Sequence, residues 1–399
     1  MTTRLIAVRL PPARFGEALR RAWADGAAVL PLPWDAPDAA IERTLRSLQP
    51  TELLTSDSAD PPTPLPLGQG HDDLPDDAAL VIATSGSTGP PKGAVLTHAA
   101  LAASTSASIA RLGATAGDRF TLALPVHHIA GVQVLLRSWA CDTDAEVLDQ
   151  TTSASQAIGD ATGDHLSLVP TQLRRLLDAR VDLRRWRTIL LGGARAEPEL
   201  LARAADEDAN IVTSYGMTET CGGCVYDGYP LDNVEVSRRD DGRITLRGPV
   251  LFAGYLGDPE ATAAAFDDDG WFVTDDLGTL TDDGRLEVTG RSDEVIISGG
   301  ENVPAGVVAD TLRNDHRILD AVVVGVPDDD WGQLVVAVVV PTDLAGPPTL
   351  AELTALVRRQ LPAAYAPRRL VVADRLPRDA MGKITADSLA PLLRDGPDR

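Results

Sequence analysis

Short continuous apolar runs alternate with stretches of helical periodicity along most of the chain, and this predicts buried strands interleaved with helices. Residues 38–48 place Ile41, Leu45 and Leu48 at the spacing of an amphipathic helix, and residues 52–55 read as a strand. The run ALVIAT at 79–84 is a buried strand leading into the Gly-rich TSGSTGPPKG at 84–93, with a helix starting near Thr97, a good N-cap. FTLALP at 120–125, HLSLVP at 165–170, TILLGG at 188–193 and NIVTSYG at 210–216 repeat the strand pattern, each separated from the next by a helix, as in a mostly parallel sheet. From about Glu235 the texture changes. Asp-Gly pairs at 241–242, 269–270 and 283–284 predict hairpins and an antiparallel, β-rich region. After Gly290 comes a smaller α/β pattern: a helix at 307–313, strands at 321–326 and 334–340, a helix at 350–361 and a strand at 368–374.

The expected fold is therefore α/β. A large N-terminal domain of α/β layers with a β-rich closing region covers residues 1–290, and a small C-terminal α+β domain covers 291–399. The Pro-, Gly- and Asp-rich stretch at 59–77 reads as an extended surface connection.

Composition narrows the function. No apolar run approaches the roughly 18 residues of a membrane span, and the N-terminus has no signal-peptide pattern, so the expectation is a cytoplasmic protein without membrane insertion. Lys and Arg total 36 against 58 Asp and Glu, a net charge of −22, which repels nucleic acid and anionic lipid. Any anionic ligand must be held by local cations. Three cysteines exclude a disulfide framework. Cys221 and Cys224 have C-x-x-C spacing, but without a second pair they read as small side chains lining a pocket rather than a redox or zinc site. The Asp-rich runs at 267–269, 282–283 and 328–330 read as solvated turns.

The basic residues are 34 Arg and only 2 Lys, Lys92 and Lys383. A compact ammonium differs chemically from a planar guanidinium, so these two positions carry weight. Lys92 closes TSGSTGPPKG, where Gly86 and Gly89 allow tight turns with backbone N–H groups aimed at phosphate oxygens. Thr84, Ser85, Ser87 and Thr88 add hydroxyls. The spacing is not that of a Walker A loop. His127 and His128 follow the strand at 120–125, and Arg137 lies within the apolar helix that begins there. Arg137 either snorkels to a surface acid or binds a second substrate carboxylate.

With four further segments in order, this loop resembles the signature of the adenylate-forming superfamily of acyl-CoA synthetases, luciferases and peptide-synthetase adenylation domains. YGMTE at 215–219 is similar to a motif that sets an aromatic ring by adenine, a Thr at the α-phosphate and a Glu at magnesium. The resemblance gives these roles to Tyr215, Thr218 and Glu219, with Gly216 and Met217 beside them and Thr88 as a further metal contact. LLGGARAEPEL at 190–200 resembles the adenine-side loop and implicates Gly192, Gly193 and Ala194. GWFVTDDLG at 270–278 resembles the ribose motif, with Asp275 in place of the usual Gly and Asp276 keeping the carboxylate. GRSDEVIISGGENV at 290–303 resembles the hinge, with Arg291 on the ribose side and Asp293 at the swivel of a mobile small domain. LPRDAMGKI at 376–384 resembles the terminal motif, which makes Lys383 the catalytic lysine that bridges the carboxylate and the α-phosphate.

The segment LPVHHIAGVQVLLRSW at 124–139, the short chain and CGGCVYDG at 221–228 look most like the o-succinylbenzoate:CoA ligases of menaquinone biosynthesis in their compact actinobacterial form. That resemblance assigns His128, Gly131, Arg137, Gly192 and Met217 to the acyl substrate, with His128 near the reacting carboxylate. It implies ATP, with AMP as product, magnesium, and coenzyme A as co-substrate. The partners are small molecules, and a homodimer is compatible with the pattern. The alternatives keep the adenylation with another aryl or short acyl acid, or load a carrier-protein thiol. A silent nucleotide-binding protein would have no use for Lys383, and a phosphotransferase lacks its Walker spacing.

Overall fold

A computed structural model describes residues 4–56, 65–67, 74–84, 91–148, 152–292, 294–378, 384 and 386–395. The fold is mixed α/β, with a large N-terminal and a small C-terminal unit. The chain packs as two compact units, the larger formed by Met1–Val236 with Leu246–Phe272 and the smaller by Ser237–Thr245 with Val273–Arg399. By packing, the hairpin region before Arg291 thus goes with the smaller unit.

The larger unit is built on two seven-stranded sheets. In the first, Arg4–Arg9 pairs in parallel with Ala27–Pro31 and with Glu52–Thr55, and Ala27–Pro31 pairs in parallel with Ala78–Thr84. The apolar runs LIAV at 5–8 and AAVL at 27–30 form these fully buried strands, and the helix Pro12–Ala24 between them buries Phe15, Ala18, Leu19 and Ala22. The amphipathic helix expected at 38–48 is present as Asp38–Leu48, followed by the expected strand.

One expectation is corrected here. The Gly-rich loop does not pass from strand straight to helix. Residues 92–97 form a further strand, antiparallel to Ala78–Thr84, before Thr97 Oγ1 caps helix His98–Leu112 by accepting from Ala100 N at 3.1 Å. Gly93 is needed in that strand, because a Cβ there would come within 2.7 Å of Val81 Cγ1.

In the second sheet Phe120–Leu122, His165–Leu168, Thr188–Leu191 and Ile211–Met217 run parallel in that order, as their patterns predict. Gly222–Tyr226 then returns antiparallel beside Ile211–Met217. Parallel strands present their carboxyl ends, and the loops that follow them, at one edge of a sheet.

In the smaller unit Phe272–Leu280 and Leu286–Arg291 form the hairpin expected around Asp283 and Gly284. Asp241 and Gly242 also sit in a tight turn, with Gly242 N donating to Arg239 O at 2.9 Å. Asp269 and Gly270 close a turn on Asp267 in the larger unit, between Phe266 and Phe272, which are joined by a single antiparallel bridge rather than a full hairpin. The apolar run 334–340 lies in Gly332–Pro341, the central strand of a five-stranded sheet. Its continuity has a direct cause: both faces are covered. Val335, Ala337 and Val339 pack with Val308, Leu312 and Leu353 of helices Ala305–Arg313 and Leu350–Gln360. Val336, Val338 and Val340 pack with Leu376, Ile384 and Leu392. Among the described residues no helix is long and apolar enough to cross a membrane.

Candidate active site

Three loops of the larger unit leave the carboxyl edge of the second sheet, and half of the expected residues lie in them or in the elements beside them. After Phe120–Leu122 comes His128, at the start of helix Ile129–Ala140, with its ring 4.3 Å from that of His127. Burial lowers the His127 pKa, against the opposing charge of Asp35. Gly131 is buried, and a Cβ there would lie 2.2 Å from the Pro125 carbonyl oxygen, so its absence of a side chain lets the helix start against the preceding turn.

After Thr188–Leu191 come Gly192, Gly193 and Ala194. Gly192 N donates to Leu168 O at 3.0 Å, and Gly193 adopts φ 79°, which favours glycine. After Ile211–Met217 comes a single 3-10 turn, Thr218–Thr220, closed by Cys221 N donating to Thr218 O at 3.0 Å. Tyr215 and Gly216 flank an irregularity in the pairing with Gly222–Tyr226. A Cβ on Gly216 would fall 2.1 Å from the Gly222 carbonyl oxygen, so only glycine lets the backbones approach there.

The turn is held from both ends. Met217 N donates to Thr220 Oγ1 at 2.9 Å, and that hydroxyl donates to Gly222 O at 2.6 Å. Glu219 is fixed by a residue that sequence reasoning missed. Tyr255 Oη donates to Glu219 Oε1 at 2.9 Å, while Phe252 N donates to the Glu219 carbonyl at 2.8 Å. The Lys92 ammonium sits over the Tyr255 ring, 5.2 Å from its centroid. Thr84 and Lys92 face one another across the ends of their antiparallel strands, with Thr84 Oγ1 donating to Lys92 O at 3.3 Å. Ser85, Gly86, Ser87, Thr88 and Gly89 lie outside the described residues.

Arg137 neither snorkels nor meets a surface acid. It is 3% exposed, its Nε donates to Ser108 Oγ at 2.8 Å and its Nη2 to Tyr226 Oη at 3.4 Å. Among the described residues no carboxylate pairs with it. Four residues earlier on the same helix, Gln133 Nε2 donates to the Cys221 carbonyl at 2.8 Å, which ties the helix of His128 and Arg137 to the Thr218–Thr220 turn.

The expectation that Cys221 and Cys224 line a pocket is corrected: both are fully buried, free thiols. Burial pushes the Cys224 thiol up to about 12 and raises that of Cys221 further. Protonated thiols of this kind are poor nucleophiles and poor metal ligands.

In the smaller unit Asp276 and Arg291 are directly paired across the hairpin, with Arg291 Nη1 3.3 Å from Asp276 Oδ1. Asp275, which stands where the resembled motif has Gly, places Oδ2 3.6 Å from Arg291 Nη2, so one guanidinium serves both carboxylates. Thr274 Oγ1 accepts from Asp276 N at 3.1 Å and donates to Ile244 O at 2.9 Å, which fixes the strand at this point. Asp293 and Lys383 lie outside the described residues.

The donor chemistry fits a magnesium nucleotide. A carboxylate with a neutral hydroxyl as its side-chain partner, beside the hydroxyl-bearing turn residue Thr218 and with a lysine over the same tyrosine ring, suits a hard divalent cation and phosphate oxygens.

Comparison with known proteins agrees with this chemistry. Residues 35–256 match the AMP-binding enzyme family, and residues 308–383 match the AMP-binding enzyme C-terminal domain. The chain is 41% identical over 329 residues to a probable 2-succinylbenzoate–CoA ligase of Mycobacterium tuberculosis, covering 79% of this chain and 85% of that protein. It is similar in structure to the o-succinylbenzoate CoA synthetase of Bacillus subtilis in complex with the acyl-adenylate intermediate, with a TM-score of 0.84 and 28% identity over 100% of this chain and 89% of that one. The same Bacillus enzyme in complex with ATP and a magnesium ion also gives a TM-score of 0.84 and 28% identity, over 98% and 90% of the two chains. Matched in sequence across both of its domains, the chain belongs to the AMP-binding enzyme family.

Proposed function

We propose that the chain is an ATP-dependent acid:CoA ligase that converts o-succinylbenzoate to o-succinylbenzoyl-CoA for menaquinone biosynthesis, in the cytoplasm. A carboxylate is a weak electrophile toward a thiol because its oxygen leaves poorly, so it must first be activated. A substrate carboxylate oxygen attacks the α-phosphorus of ATP and the bond to pyrophosphate breaks, which leaves a mixed anhydride with AMP. The thiolate sulfur of CoA then attacks the acyl carbon, and AMP departs with the electron pair of the broken C–O bond.

The resemblance of the motifs to those of the family supports the assignments that complete this reading. Tyr215, Gly216 and the Gly192–Gly193–Ala194 loop hold the adenine side, Asp276 and Arg291 the ribose, and Thr218 the α-phosphate. Thr84, Lys92 and the Ser85–Gly89 loop hold the outer phosphates. Glu219 with Thr88 would hold magnesium, which supplies neutralising charge to the phosphates. His128, Gly131 and Met217 adjoin the acid, and Lys383 stabilises the charge that builds during adenylation. The small domain swivels about Asp293 between the half-reactions. A homodimer is the assembly we propose to test by light scattering.

The observation that carries the choice of acid is Arg137. A buried guanidinium without a carboxylate is costly. A substrate with a second carboxylate, such as the succinyl arm of o-succinylbenzoate, would supply the missing charge. Mass spectrometry after incubation with ATP, magnesium, CoA and a panel of acids tests the reading. A CoA thioester with o-succinylbenzoate and none with benzoate supports it. Thioester with a different acid discards the pathway, and AMP release without thioester points to a carrier-protein acceptor.

A further inference from the structure

Glu219 does not stand alone on its turn, and the group that holds it comes from a separate part of the larger unit. Gly254 and Tyr255 form a two-residue strand paired with residues 94 and 95 of the strand that Lys92 opens. The backbone of this segment is pinned. Tyr255 N donates to Thr262 Oγ1 at 2.8 Å, and Leu256 N donates to Gly93 O at 2.8 Å. Gly254 adopts φ 141°, and a Cβ there would lie 2.6 Å from Thr262 Cγ2. The Tyr255 ring is packed edge-to-face on Phe252 at 4.9 Å, and the Lys92 ammonium lies 5.2 Å from its centroid. The ring is thus fixed in position and direction, and its hydroxyl ends on Glu219 Oε1 at 2.9 Å.

We infer that Tyr255 is a positioning residue for Glu219, which orients the carboxylate for the divalent cation that accompanies ATP, while its ring face steers Lys92. The inference rests on the reading of Glu219 as the cation's ligand. A donor on one carboxylate oxygen restricts rotation of the group and leaves Oε2 to face the cation. The same ring links two charges of opposite sign: Lys92 lies over its face, where the quadrupole is negative, and Glu219 lies at the end of its hydroxyl. The sequence hides this arrangement because Tyr255 follows Glu219 by 36 residues.

The test separates the hydroxyl from the ring. Tyr255→Phe keeps the ring and the Lys92 contact but removes the donor to Glu219. Binding of Mn²⁺ in place of magnesium, in the presence of a non-hydrolysable ATP analogue, is followed by electron paramagnetic resonance. Roughly tenfold weaker Mn²⁺ binding is expected for Tyr255→Phe, as for loss of other partners that orient metal ligands. The KM for the acid at saturating cation and the thermal midpoint should stay near those of the parent protein. In a Glu219→Gln background, Tyr255→Phe should add nothing further. Unchanged Mn²⁺ affinity in Tyr255→Phe, or a full additional loss in the double variant, overturns the inference. If Glu219→Gln alone leaves Mn²⁺ affinity unchanged, the assignment of Glu219 fails instead. Should Tyr255→Phe fail to fold, the hydroxyl serves the fold rather than the cation, and the inference is overturned.

Discussion

Arg137 is a buried cation that no carboxylate among the described residues pairs with. Its partners Ser108 and Tyr226 are neutral, and these two also bond each other at 2.8 Å. If a substrate carboxylate completes the set, Arg137→Ala should raise the KM for o-succinylbenzoate by roughly tenfold or more, as expected for a lost hydrogen bond to a charged group, and leave the KM for ATP nearly unchanged. Steady-state kinetics with each substrate varied in turn reads this directly, and unchanged acid kinetics would make Arg137 a structural residue. The sequence made Arg137 visible as a lone cation in an apolar helix but did not decide between its two readings. The deciding facts, its burial and its two neutral partners, come from helix His98–Leu112 and strand Gly222–Tyr226, far away in the chain. The turn of Thr218 and Glu219 was legible because all of its residues are local. Tyr255 was not, because only strand pairing brings it there.

At the scale of the element, strands whose apolar runs stand apart were readable, and strands that abut another signal were not. The run at 93–96 merges into the N-cap at Thr97, so the pattern reads as loop and helix where a strand exists. The runs at 5–8 and 27–30 are as apolar as those assigned, and they form two parallel strands that sequence reading passed over for want of a motif.

Helix Leu350–Gln360 shows what local signals do fix. Glu352 Oε2 accepts from Thr349 N at 2.8 Å, and Thr349 Oγ1 accepts from Glu352 N at 3.4 Å, a capping box. The Thr349 backbone and hydroxyl, then Arg317, hold the Glu352 carboxyl at about 2. Arg317 likewise holds Asp315 at about 2. Both pKa values are depressed on folding, so the stability these carboxylates contribute is present above their unfolded values of roughly 4 and is lost as pH falls from there toward 2. The urea midpoint of the smaller unit should therefore be lower at pH 3 than at pH 5. Arg317→Met should narrow that gap by weakening both pairs, and an unchanged gap would show that other groups govern the acid limb.

For the whole molecule, a net charge of −22 and only two lysines put the burden of adenylation on few cations. Lys383→Ala should abolish formation of the acyl-adenylate while conversion of supplied acyl-adenylate to thioester continues at near the parent rate. Equal loss in both half-reactions would remove the lysine from its assigned role. The domain plan was readable as a change of texture near Glu235 and a second α/β pattern after Gly290. Contacts group the chain differently, because strand Leu286–Arg291 packs on helix Ala305–Arg313, and packing of that kind is not announced by motif order.

The buried cysteines carry a practical consequence. Cys141, Cys221 and Cys224 are all free and buried, and burial raises the pKa of each thiol. A disulfide reporter dye added to the native protein should leave these three sulfurs untouched, and denaturant should expose all of them. Coenzyme A can then be counted in the presence of its own enzyme, its thiol disappearing from the colour reaction as each thioester is made.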